Sequence, residues 1–188
     1  MTTATTIGAL TGDYVIDTAH TQIGFVARHA MITKVRGQFD EFEGGVHLDG
    51  DDPSSSSAQV TIRTTSIQSH NATRDEHLRG SEFLDVANHP TITFTSSDVE
   101  RVGDTTFAVT GDLTIRGVTR PVTVDFELTG AETDPWGNFR VGFEGRTTIN
   151  RKDWGVSWNA ALESGGVLIS EKVTLELDIA IVRQRGDR

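Results

Sequence analysis

The sequence predicts an all-β fold of eight or so antiparallel strands, closed as a barrel or stacked as a sandwich. Three observations carry this expectation. Apolar and polar residues alternate with a period of two over long stretches, 19 glycines against 4 prolines mark frequent turns, and helical periodicity is scarce. Segments 105–116 and 118–129, at about a dozen residues each, favour a barrel over a sandwich. The 188 residues suit one well-buried domain. Its expected limits are a flexible segment over 1–12, a barrel over 13–183 and a tail over 184–188.

Taken in order, Tyr14 to Asp17 and Gln22 to Arg28 read as short strands around the turn Thr18 to Thr21. Val35 to Leu48 is longer, but its phase slips between Phe39 and Phe42, which predicts a bulge or sharp bend before Gly44-Gly45. After the loop Pro53 to Ser57, alternation resumes over Ala58 to Thr64 and again over Thr91 to Ser97. The clearest runs follow. Phe107, Val109, Gly111, Leu113 and Ile115 share one face, as do Val122, Val124, Phe126 and Leu128. So do Val141, Phe143, Thr147 and Ile149, and then Val173, Leu175, Leu177, Ile179 and Ile181. The one helix expected is His70 to Arg79, with Ser69 or Asn71 as its cap and Gly80 as its stop. Short helical turns are expected around Ala30-Met31 and Asp153-Trp154.

Charge and composition exclude several function classes. Seventeen Lys and Arg against 27 Asp and Glu give a net charge of −10, which repels nucleic-acid backbones and anionic lipid surfaces. The absence of cysteine removes disulfides, thiolate nucleophiles and Cys-based zinc or iron–sulfur sites. Met1 to Gly12 lacks the pattern of a secretory signal, and no apolar run reaches the roughly 18 residues of a membrane-spanning helix. The expected location is the cytoplasm, with no integral membrane segment.

An eight-stranded barrel has an interior that side chains just fill or that holds one small ligand. The inward phase places Phe25, Phe39, Phe94, Phe107, Phe126 and Phe143 inside, with Val109, Leu113 and Val124 beside them. The small residues Ala27, Gly37, Gly111 and Gly145 lie between the rings. That pattern fits either an interdigitated core or a channel, and the sequence leaves both open. A channel with such walls suits a flexible hydrocarbon, since each buried CH₂ contributes about 0.8 kcal/mol.

Polar candidates are few. At helical spacing His70, Arg74 and His77 fall on one face, as a cationic spot at a pocket mouth or as a network in which Arg74 and Asp75 tie the helix to the barrel. His29 continues the inward phase of Ala27, whereas His20 suits a turn. The six histidines show no metal-binding spacing, so no metal and no cofactor is expected. Asp49, Asp51 and Asp52 suit a solvated loop tip, and Asn71-Ala72-Thr73 is too short a match to imply glycosylation. Trp154, with Trp158 near it, either plugs a barrel end or lies against a ligand. Neither a nucleophile elbow nor a Gly-rich phosphate loop is present, so no enzyme is expected.

A series of segments in one order completes the reading. They are Tyr14-Val15-Ile16-Asp17 with His20 to Phe25, Val35 to Phe39 with Phe42-Glu43-Gly44, and Arg74-Asp75-Glu76-His77-Leu78. Then come Phe83-Leu84-Asp85 before His89-Pro90, Phe94-Thr95-Ser96, Gly111 to Val122 and Arg151-Lys152-Asp153-Trp154-Gly155. Across residues 13 to 182 the chain resembles the YceI-like family of polyisoprenoid-binding proteins. The resemblance implies an extended, lipocalin-like, eight-stranded antiparallel barrel with one or two short helices and a lengthwise tunnel. It implies a long apolar ligand, such as a quinone precursor or isoprenoid pyrophosphate, held for transport or storage, with the helix cluster near the tunnel mouth and a possible homodimer. Leu84 stands where the family often has an aromatic, and Trp154 where it often has Phe, which bears on tunnel width. Rival readings are an enzyme using His77, Arg74 and His29 on a hydrophobic substrate, and a stress-response interaction protein with a filled core.

Overall fold

In the computed structural model, which describes residues 6–185, the alternating segments become eleven strands. They are β1 (Gly12–Ile16), β2 (Gln22–His29), β3 (Thr33–Phe39), β4 (Phe42–Leu48), β5 (Ser57–Arg63), β6 (Ile67–Gln68), β7 (Thr91–Arg101), β8 (Thr106–Ile115), β9 (Val118–Thr133), β10 (Phe139–Asn150) and β11 (Lys172–Arg183). The single α-helix among the described residues, α1 (Ala72–Arg79), lies between β6 and β7.

These eleven pieces form eight walls. One edge of β11 is shared, with β1 pairing at Ile181 to Arg183 and β2 at Thr174 to Asp178, so β1 and β2 run on as one broken strand. β4 pairs with β1 while β3 pairs with β2, which makes β3 and β4 a second broken strand interrupted at Asp40-Glu41. That interruption is the phase slip expected between Phe39 and Phe42. β5 and β6 pair with β4 and β3 in turn. β7 to β11 then follow as an antiparallel meander, and the β1–β11 pairing closes an eight-stranded barrel without a free edge. Register shifts between Ser96 and Asp98 and between Gly142 and Phe143 supply local bends.

Several local expectations are corrected. The segment expected to be flexible contains a 3-10 turn, Ile7–Leu10, and Leu10 is only 2% exposed. The Tyr14 hydroxyl donates to the Leu10 carbonyl at 2.7 Å, and Arg183 donates to the Ala9 carbonyl at 2.6 Å. Gly50 permits this close approach, since a Cβ there would lie 1.9 Å from the Ile7 carbonyl oxygen. Residues 1–5 of that segment, and 186–188 of the expected tail, lie outside the described residues. Gln184 still donates its backbone N–H to Asp13. The turn at Ala30-Met31 is not helical but a tight hairpin turn in which both residues have positive φ. His70 lies outside α1, with φ +61°, and Asn71 rather than Ser69 caps the helix, accepting from the Arg74 backbone N–H at 3.0 Å. The expected turn at Asp153-Trp154 forms as a 3-10 turn, Arg151–Trp154.

Candidate functional site: an apolar hollow along the barrel axis

The inward faces of the strands do not meet in the middle. They enclose a cavity of about 340 Å³, within the size range of ligand sites. It extends from Ile7, Leu10, Leu48 and Pro53 at the N-terminal end to Leu78, Phe83, Leu84, Trp154, Val156 and Ile169 at the helix end. The residues that form the hydrophobic core and those that line the hollow are largely one set.

What keeps the rings out of the centre is their pairing with glycines. Phe25 stands directly opposite Gly37, and a Cβ on Gly37 would lie 2.2 Å from the Phe25 ring. Phe126 stands opposite Gly145, where a Cβ would lie 2.4 Å from that ring. The Phe94 ring covers Gly111 in the same manner, with 2.6 Å to an added Cβ. Each ring therefore lies along the wall in the space that a neighbouring side chain would have taken, an aromatic cover over a strand glycine. Adjacent rings complete the lining, with Phe25 5.8 Å from Phe39, and Phe143 6.4 Å from both Phe107 and Phe126.

Of the residues singled out in the sequence, Phe25, Ala27, Phe39, Phe94, Phe107, Val109, Leu113, Val124, Phe126, Phe143 and Trp154 all line the hollow. His29, Arg74 and His77 do not. His29 lies at the exposed end of β2, bridged to Ile169 across the rim, so its phase is inward but the wall has already ended. Arg74 spends its guanidinium on Ser69, with Nε donating to the hydroxyl at 2.7 Å and a terminal nitrogen to the carbonyl at 2.6 Å. Ser69 donates in turn to the buried Asp75 carboxylate, through N–H at 2.8 Å and Oγ at 2.5 Å. This network ties the helix to the barrel. His77 makes a 2.5 Å contact with Glu82 and sits edge-on to Phe83 and Trp158, behind the cavity wall. Trp154 is 3% exposed and donates its indole N–H to the Leu113 carbonyl at 2.9 Å, so it both closes the helix end and faces the hollow.

Val173, Leu175, Leu177, Ile179 and Ile181, which share one face by their alternation but are not among the candidate ligand-binding residues of the sequence, line the hollow along the whole of β11. Leu10 and Ile169, contributed by segments outside the regular ladder, carried no periodic signal. Nor did Arg151, which is 6% exposed at the helix end of the cavity. Its guanidinium donates to the Val156 carbonyl at 2.7 Å, the Ser170 carbonyl at 2.9 Å and the Ile169 carbonyl at 3.4 Å. Burial pushes it below the usual guanidinium value, partly opposed by Glu171. Asp49 is the other charged residue of the lining and belongs to the opposite end. Among the described residues no group of three or more His, Asp or Glu is placed to hold a metal ion, and no helix is long and apolar enough to cross a membrane.

Comparison with known proteins agrees with this architecture. The model of the YceI-like domain matches residues 14–181. A UPF0312 protein of Azotobacter vinelandii is 38% identical over 178 residues, 94% of this chain and 90% of that protein. Among solved structures, a Campylobacter jejuni YceI protein superposes with a TM-score of 0.73 at 25% identity, covering 84% of this chain and 90% of the other. A polyisoprenoid-binding domain from Saccharophagus degradans, implicated in plant cell wall breakdown, shares the fold with a TM-score of 0.70 at 17% identity, covering 91% and 98%.

Proposed function

The chain belongs to the YceI-like family, and from that premise we propose that it holds one long apolar chain, of the polyisoprenoid class, lengthwise in the barrel. The single observation that carries this is the hollow itself, lined by rings laid over Gly37, Gly111 and Gly145 instead of packed across the axis. A non-directional apolar wall rewards length. At about 0.8 kcal/mol for each buried CH₂, even a flexible tail offsets the cost of its ordering. The solved structure of a polyisoprenoid-binding domain with the same fold supports the ligand class. Arg151, unlike Arg74, lines the hollow, and its buried positive charge, held by carbonyls and not by a carboxylate, favours with Asp49 at the other end a hydrogen-bond-accepting or anionic head at the Arg151 end.

Binding without turnover is the better reading. Of the three polar residues that an enzyme would have used here, Arg74 is held by Ser69, His77 by Glu82, and His29 lies on the rim. The role is then that of a carrier or store. Organic extraction of the purified chain followed by mass spectrometry is expected to release one long-chain lipid in near-stoichiometric amount. Extracts without such a molecule, from protein that also fails to take up an added polyprenol, would overturn the proposal.

A further inference from the structure

The hairpin joining β2 to β3 carries three local costs that nothing within the barrel offsets. The turn from His29 to Ile32 closes with the Ile32 N–H donating to the His29 carbonyl at 3.0 Å, and both central residues, Ala30 and Met31, have positive φ, 51° and 60°. Such turns prefer Asn and Gly, because a side chain in the left-handed region is strained. The two-residue turn between β8 and β9 has Arg116 at its first positive-φ position but meets the demand at the second with Gly117, whereas the β2–β3 turn has glycine at neither. Secondly, Arg28 and Lys34 stand directly opposite each other on the outer face, a like-charge pair that destabilises a ladder. Neither is in an ion pair among the described residues, whereas Arg36, further along, pairs with Glu176 at 3.1 Å. Thirdly, Met31 is 57% and Ile32 78% exposed at the tip.

Segment 28–36 contains Arg28, His29, Lys34 and Arg36 and no carboxylate, in a chain of net charge −10. The repulsion expected from the whole-chain charge therefore reverses at this hairpin. The hairpin also belongs to the rim of the cavity. Ala27 lines the hollow, the Ala30 N–H donates to the Leu168 carbonyl at 2.7 Å, and His29 bridges Ile169, another lining residue. The rim loop alongside adds the apolar Ala161 and Leu162, with Glu163 as its one carboxylate between Ser157 and Ser170.

From this combination we infer that the hairpin tip is a docking point for an anionic lipid bilayer. Met31 and Ile32 enter the headgroup boundary, Arg28 and Lys34 meet lipid phosphates, and the helix end of the hollow is brought against the apolar phase from which a chain can pass. The inference rests on the lipid-holding reading above and supplies its source, the membrane.

The test is flotation of the full chain with vesicles of phosphatidylcholine alone and of phosphatidylcholine mixed with phosphatidylglycerol. Binding is expected to the mixed vesicles only, and to fall as salt is raised. Ile32→Asp is expected to weaken it by about tenfold or more. The double variant Ala30→Asn/Met31→Gly, which suits the turn, is expected to leave the thermal midpoint unchanged or higher and still to weaken binding by about fivefold, separating loss of docking from loss of fold. Wild-type protein that ignores the mixed vesicles, variants that float as well as wild type, or a tip that mediates only self-association would each overturn the inference. Lipid extracted from the same preparations keeps the two readings apart. Loaded protein that does not dock defeats docking alone, and empty protein that docks defeats the lipid-holding reading alone.

Discussion

At the N-terminal end of the barrel Leu10 is buried beneath Tyr14, and Arg183 lies 4.1 Å from the Phe139 ring centroid while donating to the Ala9 carbonyl. Nearby, Arg140 donates to both Asp134, at 2.7 Å, and Asp17, so that this guanidinium faces two carboxylates. At the helix end a cation is buried among carbonyls, two cations face each other across a hairpin, and strained residues hold an apolar tip in solvent. At the first end the buried turn and the Arg140 and Arg183 guanidinium groups find their partners inside the chain, although Trp136 is 77% exposed on the loop beyond them. At the second, the like-charge pair and the strained apolar tip are left for an outside partner to satisfy. Within one barrel, the difference separates what holds the fold shut from what the fold presents.

The largest effect is expected at the closed end, where Leu10→Ala should cost about 3 kcal/mol in urea denaturation, because a buried leucine sealing a barrel end leaves a void that the wall cannot fill. A loss below about 1 kcal/mol would mean that the turn lies on the barrel without closing it. Next comes the wall. Gly145→Leu should drive the Phe126 ring toward the axis, cost roughly 1–3 kcal/mol and reduce extractable lipid to background while circular dichroism stays that of a β protein. Retained lipid in a folded variant would show that the ring–glycine pairing does not set the bore. Trp154→Phe removes the donor to Leu113 and should cost about 1 kcal/mol, with ligand content little changed.

The smallest effect concerns acid. The hydrogen bond from Arg140, joined by those from Asn138 and Trp136 and opposed by burial, lowers the Asp134 carboxyl from 3.8 to about 2. Burial raises Asp17, but hydrogen bonds from His20, Arg140 and Ala19 outweigh it, so it too is lowered. A carboxylate lowered by folding stabilises the native state above its ordinary value, and that stability is lost as pH falls from near 4 toward about 2. Arg140→Gln should move the acid-unfolding midpoint, followed by tryptophan fluorescence, to higher pH. Superimposable acid curves would show that the network contributes nothing.

Most of the barrel was legible because a period of two has one physical meaning once the inside is apolar. Phe107 to Ile115 and Val122 to Leu128 could be assigned faces without knowing their partners. The break at Asp40 was legible as a slipped phase. What was not legible depended on the end of a strand or on backbone conformation. His29 keeps the inward phase but lies beyond the wall, His70 has the helical spacing but a left-handed backbone, and Leu10 reaches the interior from a turn with no repeat to announce it. Whether the rings filled or framed the interior also lay beyond the sequence. That depends on register, which sets Gly37 opposite Phe25 and Gly145 opposite Phe126.

The most direct measurement is crystallographic density along the barrel axis of protein purified without detergent or added lipid. The expected result is a continuous tube of density, one chain wide, running past Phe126 and Phe143 from the Leu10 end to Trp154. Rings closed across the axis, or a hollow holding only separate solvent peaks, would contradict it.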